Sequence, residues 1–216
     1  VEFKNKDLLL QALTHRSYLN ENSGWHLDHN ERLEFLGDAV LELIVTEYLY
    51  ARFPDTSEGE LTSYRAALVN TNSLAAVSAE LGLNAHLLLS RGEAKDTGRA
   101  RLYILANAFE SVVGALFLDQ GYAAAQAFIT RVLLPKLDAI LDQRLYEDAK
   151  SVFQEQMQER TGLTPHYRVL DEAGPDHAKK FTVGVYLDER LVAKGAGFSK
   201  QEAETEAARA ALAAEA

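Results

Sequence analysis

Asn30-Glu31-Arg32-Leu33-Glu34-Phe35-Leu36-Gly37-Asp38-Ala39-Val40-Leu41 is the stretch whose reading decides the fold. At 100° per residue, Leu33, Leu36, Val40 and Ile44 fall in one sector of a helix and Glu31, Glu34, Asp38 and Glu42 in the opposite one. One face is core and the other is acid. Like charges at i,i+4 repel, each pair costing roughly 0.2–0.5 kcal/mol, so the row calls for either full solvation or a divalent cation. Two features count against a merely solvated acidic face. Gly37 stands mid-helix, at a cost of about 1 kcal/mol against Ala, which makes sense where another backbone approaches beside Asp38. Phe35 projects close to the acidic stripe and away from the core face, which marks a protein interface.

A second stretch supplies the partner. In Ile104-Leu105-Ala106-Asn107-Ala108-Phe109-Glu110-Ser111-Val112-Val113-Gly114-Ala115-Leu116-Phe117, the residues Asn107, Glu110, Ser111 and Gly114 share one helical face. Packed glycine to glycine on the first helix, it would bring Asn107 and Glu110 near Glu34 and Asp38. Four oxygen-bearing side chains make a hard-cation site, suited to Mg²⁺ or Mn²⁺. A di-iron bundle needs Glu-x-x-His, and here Gly37 follows Glu34 and Val113 follows Glu110 at that spacing.

Composition limits the alternatives. The 216 residues are 47% apolar and 25% charged, ordinary for a globular chain of one large or two small domains. Cys is absent, which excludes a disulfide framework and a cysteine-ligated zinc, and a cytoplasmic location is the expectation. No apolar run approaches the ~18 residues of a membrane span, and neither a membrane partner nor a small-molecule cofactor is expected. The chain opens Val1-Glu2-Phe3-Lys4, without Met and without a secretory leader, so residues before Val1 are expected to have been removed. The net charge of −10 argues against nucleic acid as a partner only if the local field is ignored.

In chain order, the patterns predict helices over 7–13, from Asn30 to about Arg52 with N-cap chemistry in Asp28-His29-Asn30, from Ser57 with Glu60 at capping-box spacing, and over 72–82. His15 reads as a hydrogen-bonded loop or core histidine without a catalytic role. Residues 90–101 read as a basic loop with Arg91, Lys95, Arg99 and Arg101 free to reach phosphates. A helix over 123–144 is expected to be kinked or divided at Pro135. The text then changes: a helix over 148–161, strands over 164–172 and 180–197 (Phe181, Val183, Val185 and Leu187, then Leu191 and Ala193), and an alanine-rich helix over 199–215. The expected class is α+β, with an all-α domain over 1–144 followed by a small α-β-β-β-α domain over 148–216. The small domain's first helix shows a polar stripe of Ser151, Gln154, Glu155 and Gln158. Its first turn is Gly174-Pro175-Asp176-His177, and its last helix begins Ser199-Lys200-Gln201.

Asn30 to Asp38 resembles the signature of the ribonuclease III family, Thr14-His15-Arg16-Ser17 fits it, and 148–216 is similar to the double-stranded RNA-binding domain of its bacterial members. The resemblance implies an endonuclease, dimeric through the signature-helix region, that cuts double-stranded RNA with Mg²⁺ to 5′-phosphate and 3′-hydroxyl ends. It further implies Glu34, Asp38 and Glu110 as metal-binding carboxylates, with Asn107 where many members have Asp. Glu31 and Glu58 match substrate-positioning acids, and Phe35 lies in the implied dimer interface. Ser151, Gln154, Glu155, Gln158, His177 and Lys200 match positions that touch RNA. Gln201 replaces a usual basic residue, and the helix that normally precedes Phe3 is missing. The alternative reading is a duplex-binding regulator with a weakened nuclease site, supported by Asn107 alone. Residues 147–216 carry nine Lys and Arg against thirteen Asp and Glu, so the RNA contacts of the small domain have to be local.

Overall fold

Two helices of 22 residues each, α3 (Glu31–Arg52) and α7 (Arg99–Gln120), form the axis of the larger unit. The computed structural model describes residues 2–144, 146, 148–175 and 179–215. By its contacts the chain divides into two compact units, Val1–Tyr146 and Glu147–Ala216.

In the first unit α1 (Lys6–Ala12) and α2 (Arg16–Glu21) precede α3, and α4 (Glu58–Val69) and α5 (Thr71–Glu80) follow it. A short α6 (Arg91–Lys95) leads into α7, and α8 (Tyr122–Val132) and α9 (Lys136–Asp142) complete the unit. Pro135 divides the last pair, because it cannot donate to the preceding turn. The core gathers Leu41, Ile44, Val45 and Leu49 of α3 with Phe109, Val113 and Leu116 of α7 and Ile129, Leu133 and Leu137 beyond. α7 is long and apolar enough to cross a membrane by composition alone. Its packing accounts for that, since nearly every residue from Ile104 to Leu116 is buried among neighbouring helices.

Several local expectations change. Ser57 and Glu60 form the full capping box on α4. Asn30 stands before α3 but does not cap it; its side chain donates to the Ala12 carbonyl at 3.3 Å and its amide to Thr14 at 2.9 Å, tying α3 to the end of α1. Burial explains the difference, because a polar side chain only 3% exposed takes the partner the interior offers. Residues 90–101 are not a free basic loop. Ser90 caps α6 by accepting from the Glu93 amide, and α7 begins at Arg99. Arg101 donates to the carbonyls of Glu93, Ala94 and Asp96 and so welds α6 to α7. Helix α2 and a parallel bridge between Thr14 and Leu88 carry no periodic signal and were not foreseen. His15 caps α2 through Nδ1, and burial, with smaller contributions from Arg16 and His29, lowers its pKa.

The second unit runs α10 (Ala149–Thr161), β1 (His166–Ala173), β2 (Lys180–Leu187), β3 (Arg190–Gly197) and α11 (Lys200–Glu215), with an antiparallel sheet in the order β1-β2-β3. Phe153 and Met157 of α10 meet Val185 and Leu187 of β2 and the alanine face Ala207, Ala208 and Ala211 of α11. Small side chains let α11 lie close on the sheet. One strand residue departs from expectation. The β2–β3 register shifts beside Val185, so Tyr186 faces Leu191 and Val185 faces Ala193. The bulge turns Leu191 outward, 40% exposed, and puts Val192 on the core instead.

Candidate active site

The site follows from how α3 and α7 touch. A Cβ built on Gly37 would lie 1.7 Å from the Glu110 carbonyl oxygen, and one built on Gly114 would lie 2.2 Å from that of Leu33. Leu33 and Gly37, like Glu110 and Gly114, are one helical turn apart, so the two backbones press together over that turn. Side chains flanking the contact therefore emerge along a shared edge. Asn107 stands on the side of the Glu34 carboxylate and favours its charged form, and Glu110 lies in the field of Asp38, Glu34 and Glu42.

Burial, followed by repulsion from Asp38, Glu34 and Glu42, pushes Glu110 up to about 7. Burial also raises Glu34, with Glu31 and Asp38 adding to it and the Asn107 hydrogen bond opposing it. Glu42 was legible in the acidic row but not as part of the site; its place beside Glu110 needs the helix crossing to be known. Glu31 stands at the edge, 3.5 Å from Arg16 and 3.8 Å from His29. Glu58 lies in the first turn of α4, accepts from Thr62 at 3.1 Å, and is not among the charges acting on Glu34 or Glu110.

Among the described residues, no three Asp, Glu or His side chains enclose a metal position as they stand. The chemistry of the edge nevertheless fits a hard divalent cation: every donor is oxygen, and every charge acting on Glu110 is negative. This sets the pH dependence of the metal-free protein. In the unfolded chain Glu110 ionises near 4.5, and in the folded one near 7. Between these values the folded state holds the extra proton, so its stabilising effect is complete below about 4.5 and lost as pH rises through 7. The unfolding midpoint of the metal-free protein should therefore fall between pH 5 and 8 relative to Glu110→Gln, by on the order of 1 kcal/mol after allowance for solvent screening. Added Mg²⁺ should reverse the fall. Parallel pH curves for the two proteins would remove Glu110 from the repulsive cluster.

Phe35 is 82% exposed on α3, and Leu43 and Tyr50 are exposed on the same side of the helix. In the small unit, Ser151, Gln154, Glu155 and Gln158 line one shallow depression on α10 with Glu159. Asp148 caps that helix, accepting from the Ser151 amide at 3.2 Å and hydroxyl at 2.7 Å. Lys200 opens α11, where Ser199 accepts from the Glu202 amide at 3.1 Å. His177 lies outside the described residues.

Comparison with known proteins gives the site its context. Residues 5–137 match the Ribonuclease-III-like family model, and residues 149–214 match the double-stranded RNA binding motif. The chain is 48% identical to Ribonuclease 3 of Desulforamulus reducens over 208 residues, covering 96% of this chain and 85% of that protein. It is likewise 48% identical to Ribonuclease 3 of Symbiobacterium thermophilum, covering 98% and 88%. Among solved structures, the nuclease domain of ribonuclease III from Campylobacter jejuni, in a study of flexibility in the region involved in its dimer formation, superposes with a TM-score of 0.56. It is 42% identical and covers 62% of this chain and 92% of that one. On the double match and identity close to half over nearly its whole length, this chain belongs to the ribonuclease III family.

Proposed function

We propose that the chain is a Mg²⁺-dependent endoribonuclease that hydrolyses double-stranded RNA to 5′-phosphate and 3′-hydroxyl ends, in processing of ribosomal and messenger RNA in the cytoplasm, with Mn²⁺ as a substitute. The observation that carries this reading is the edge where Glu34, Asp38 and Glu42 crowd Glu110 across two touching helix backbones. Ribonuclease III enzymes are metal-dependent, and an all-oxygen donor set selects a hard cation. When bound, the cation neutralises charge developing on the scissile phosphate and lowers the pKa of a bound water.

The chain's own residues divide the remaining work between 1–144, the endonuclease domain, and 148–216, the RNA-binding domain. Glu34, Asp38 and Glu110 would hold the cation, and Asn107, which favours the charged form of Glu34, would orient that carboxylate toward it. Glu31, held by Arg16 and His29, positions substrate at the rim, and Glu58 does so from α4. Ser151, Gln154, Glu155 and Gln158, with Lys200 and His177, meet the duplex. A-form RNA is read through 2′-hydroxyls and phosphates across its wide minor groove, which suits polar side chains on a net acidic protein. No observation favours the regulator reading. Incubating end-labelled duplex RNA with the protein, with and without Mg²⁺, tests the proposal: cleavage is expected only with the metal, and intact RNA at every Mg²⁺ and Mn²⁺ concentration would overturn it.

Asn107 brings an oxygen but no charge. Asn107→Asp should therefore shift half-maximal cleavage to lower Mg²⁺, because a carboxylate attracts the cation more strongly than an amide. Coincident rate-against-Mg²⁺ curves would place residue 107 beyond reach of the metal.

The working form is a homodimer, through the face of α3 that carries Phe35. An exposed Phe on the same side of α3 as exposed Leu43 and Tyr50 is surface that a monomer has reason to avoid. Phe35→Asp sets a carboxylate against apolar surface and near its symmetry mate, so it should weaken dimerisation about 30-fold or more. Sedimentation equilibrium reads the effect. An unchanged dimer would take Phe35 out of the interface.

A further inference from the structure

One group of charges in the small unit has no part in its core. Glu172, near the end of β1, lies 3.6 Å from the ammonium of Lys179 and 3.6 Å from that of Lys200. The Lys200 ammonium also sits 5.7 Å from the centre of the Phe181 ring, and Phe181 is the register partner of Glu172 across β1 and β2. One carboxylate thus spans two lysines from different elements, one preceding β2 and the other opening α11. The group is open to solvent, with Lys200 keeping 59% of its side-chain surface exposed, so a phosphate can reach the ammonium.

We propose that Glu172 is an affinity-setting residue for duplex RNA, a built-in competitor that occupies Lys179 and Lys200 in the free protein. The inference rests on the reading of 148–216 as an RNA-binding domain with Lys200 on its RNA face. With Gln at position 201, Lys200 has no basic neighbour in sequence, and Lys179 is the ammonium that shares its anion. A phosphate arriving at Lys200 must displace Glu172 or lie against it. Displacement costs the Lys200–Glu172 ion pair, and staying leaves two anions on shared cations. Both act in the same direction, weakening binding and reducing the counterions released when RNA docks. The consequence is an RNA-binding domain tuned below the affinity its lysines could provide, which favours release of product from an enzyme that must turn over.

The test is duplex binding by the 216-residue chain, with both units present, in metal-free buffer, where cleavage cannot intervene, using an RNA of about 20 base pairs, longer than the ~16 such a domain spans. Glu172→Gln should bind roughly 3- to 10-fold tighter at low salt, since exposed ion pairs are individually weak. Its binding should fall more steeply with salt, by about one further counterion. Glu172→Ala should behave alike, and thermal unfolding checks that both variants fold. Glu189→Gln removes the same charge beside Arg168, at the far end of β1 and β2, and controls for net charge. Lys200→Ala should cost more affinity in the Glu172→Gln background than in the natural chain. Equal affinity of natural chain and Glu172→Gln, or a gain matched by Glu189→Gln with additive Lys200→Ala costs, would overturn the competitor role while leaving the RNA-binding reading intact. A natural chain that retained no duplex even at low salt would overturn the RNA-binding reading and the competitor with it.

Discussion

Glu110→Ala should reduce cleavage of duplex RNA by about a thousand-fold or more while leaving duplex binding unchanged or slightly tighter. The size follows from the several kcal/mol a positioned cation contributes to the transition state of phosphoryl hydrolysis, each 1.36 kcal/mol being tenfold in rate. The sign of the binding effect follows from charge. Glu110 is one of a group of carboxylates on the α3–α7 edge, and a phosphate approaching that edge meets one negative charge fewer in the variant. Glu110→Gln, which keeps the side chain's volume in this half-buried position, separates loss of charge from loss of packing and should be equally inactive. Single-turnover cleavage with Mg²⁺ and filter binding without it are the two measurements. If cleavage and binding fell together, Glu110 would be holding the duplex or the helix pair instead of the cation.

How much of this was legible beforehand depended on whether a feature is local. The acidic row of α3 and the Asn107/Glu110 pair of α7 announce themselves because helical period alone separates them from the core face. The mid-helix glycines declare a close approach because nothing else justifies their cost. The small unit's strand order was readable from alternation up to the bulge that turns Leu191 outward, a register event with no signature in β3 itself. Features that depend on two distant segments stayed hidden. Arg101 looked like a free cation in a loop, and only the fold brings the carbonyls of Glu93, Ala94 and Asp96 to it. Asn30 looked like a cap until α1 presented the Ala12 carbonyl. Glu172 had no motif to mark it, since its meaning comes from Lys179 and Lys200 converging on it from separate elements. The same contrast holds within the site: Glu42 belonged to the visible stripe, yet its proximity to Glu110 comes from the helix crossing.

Gly37→Ala should be strongly disruptive, its added methyl making the shortest contact among the described glycines for which one can be built. In an isolated helix the substitution would stabilise by about 1 kcal/mol, because Ala is the better helix former. Here the added Cβ would stand 1.7 Å from the Glu110 carbonyl oxygen and 2.9 Å from the Gly114 amide nitrogen, and neither is a side chain that can swing away. α3 and α7 would have to part along the turn where they touch, opening the core that Leu41, Ile44, Phe109 and Val113 fill between them. Overpacking of this kind typically costs 1–3 kcal/mol and more when backbone must move, so a net loss of about 3 kcal/mol is expected. For a chain of this size that lowers the thermal midpoint by roughly 6–12 °C. Gly59→Ala in α4, where nothing lies within 4 Å of the new methyl, is the control and should hold or raise the midpoint. Parting the helices also moves Glu34 and Asp38 away from Asn107 and Glu110, so the folded fraction of Gly37→Ala should need more Mg²⁺ to cut RNA. A Gly37→Ala protein as stable as Gly59→Ala, with an unaltered Mg²⁺ requirement, would mean that the glycine contact does not set the spacing of the carboxylate edge.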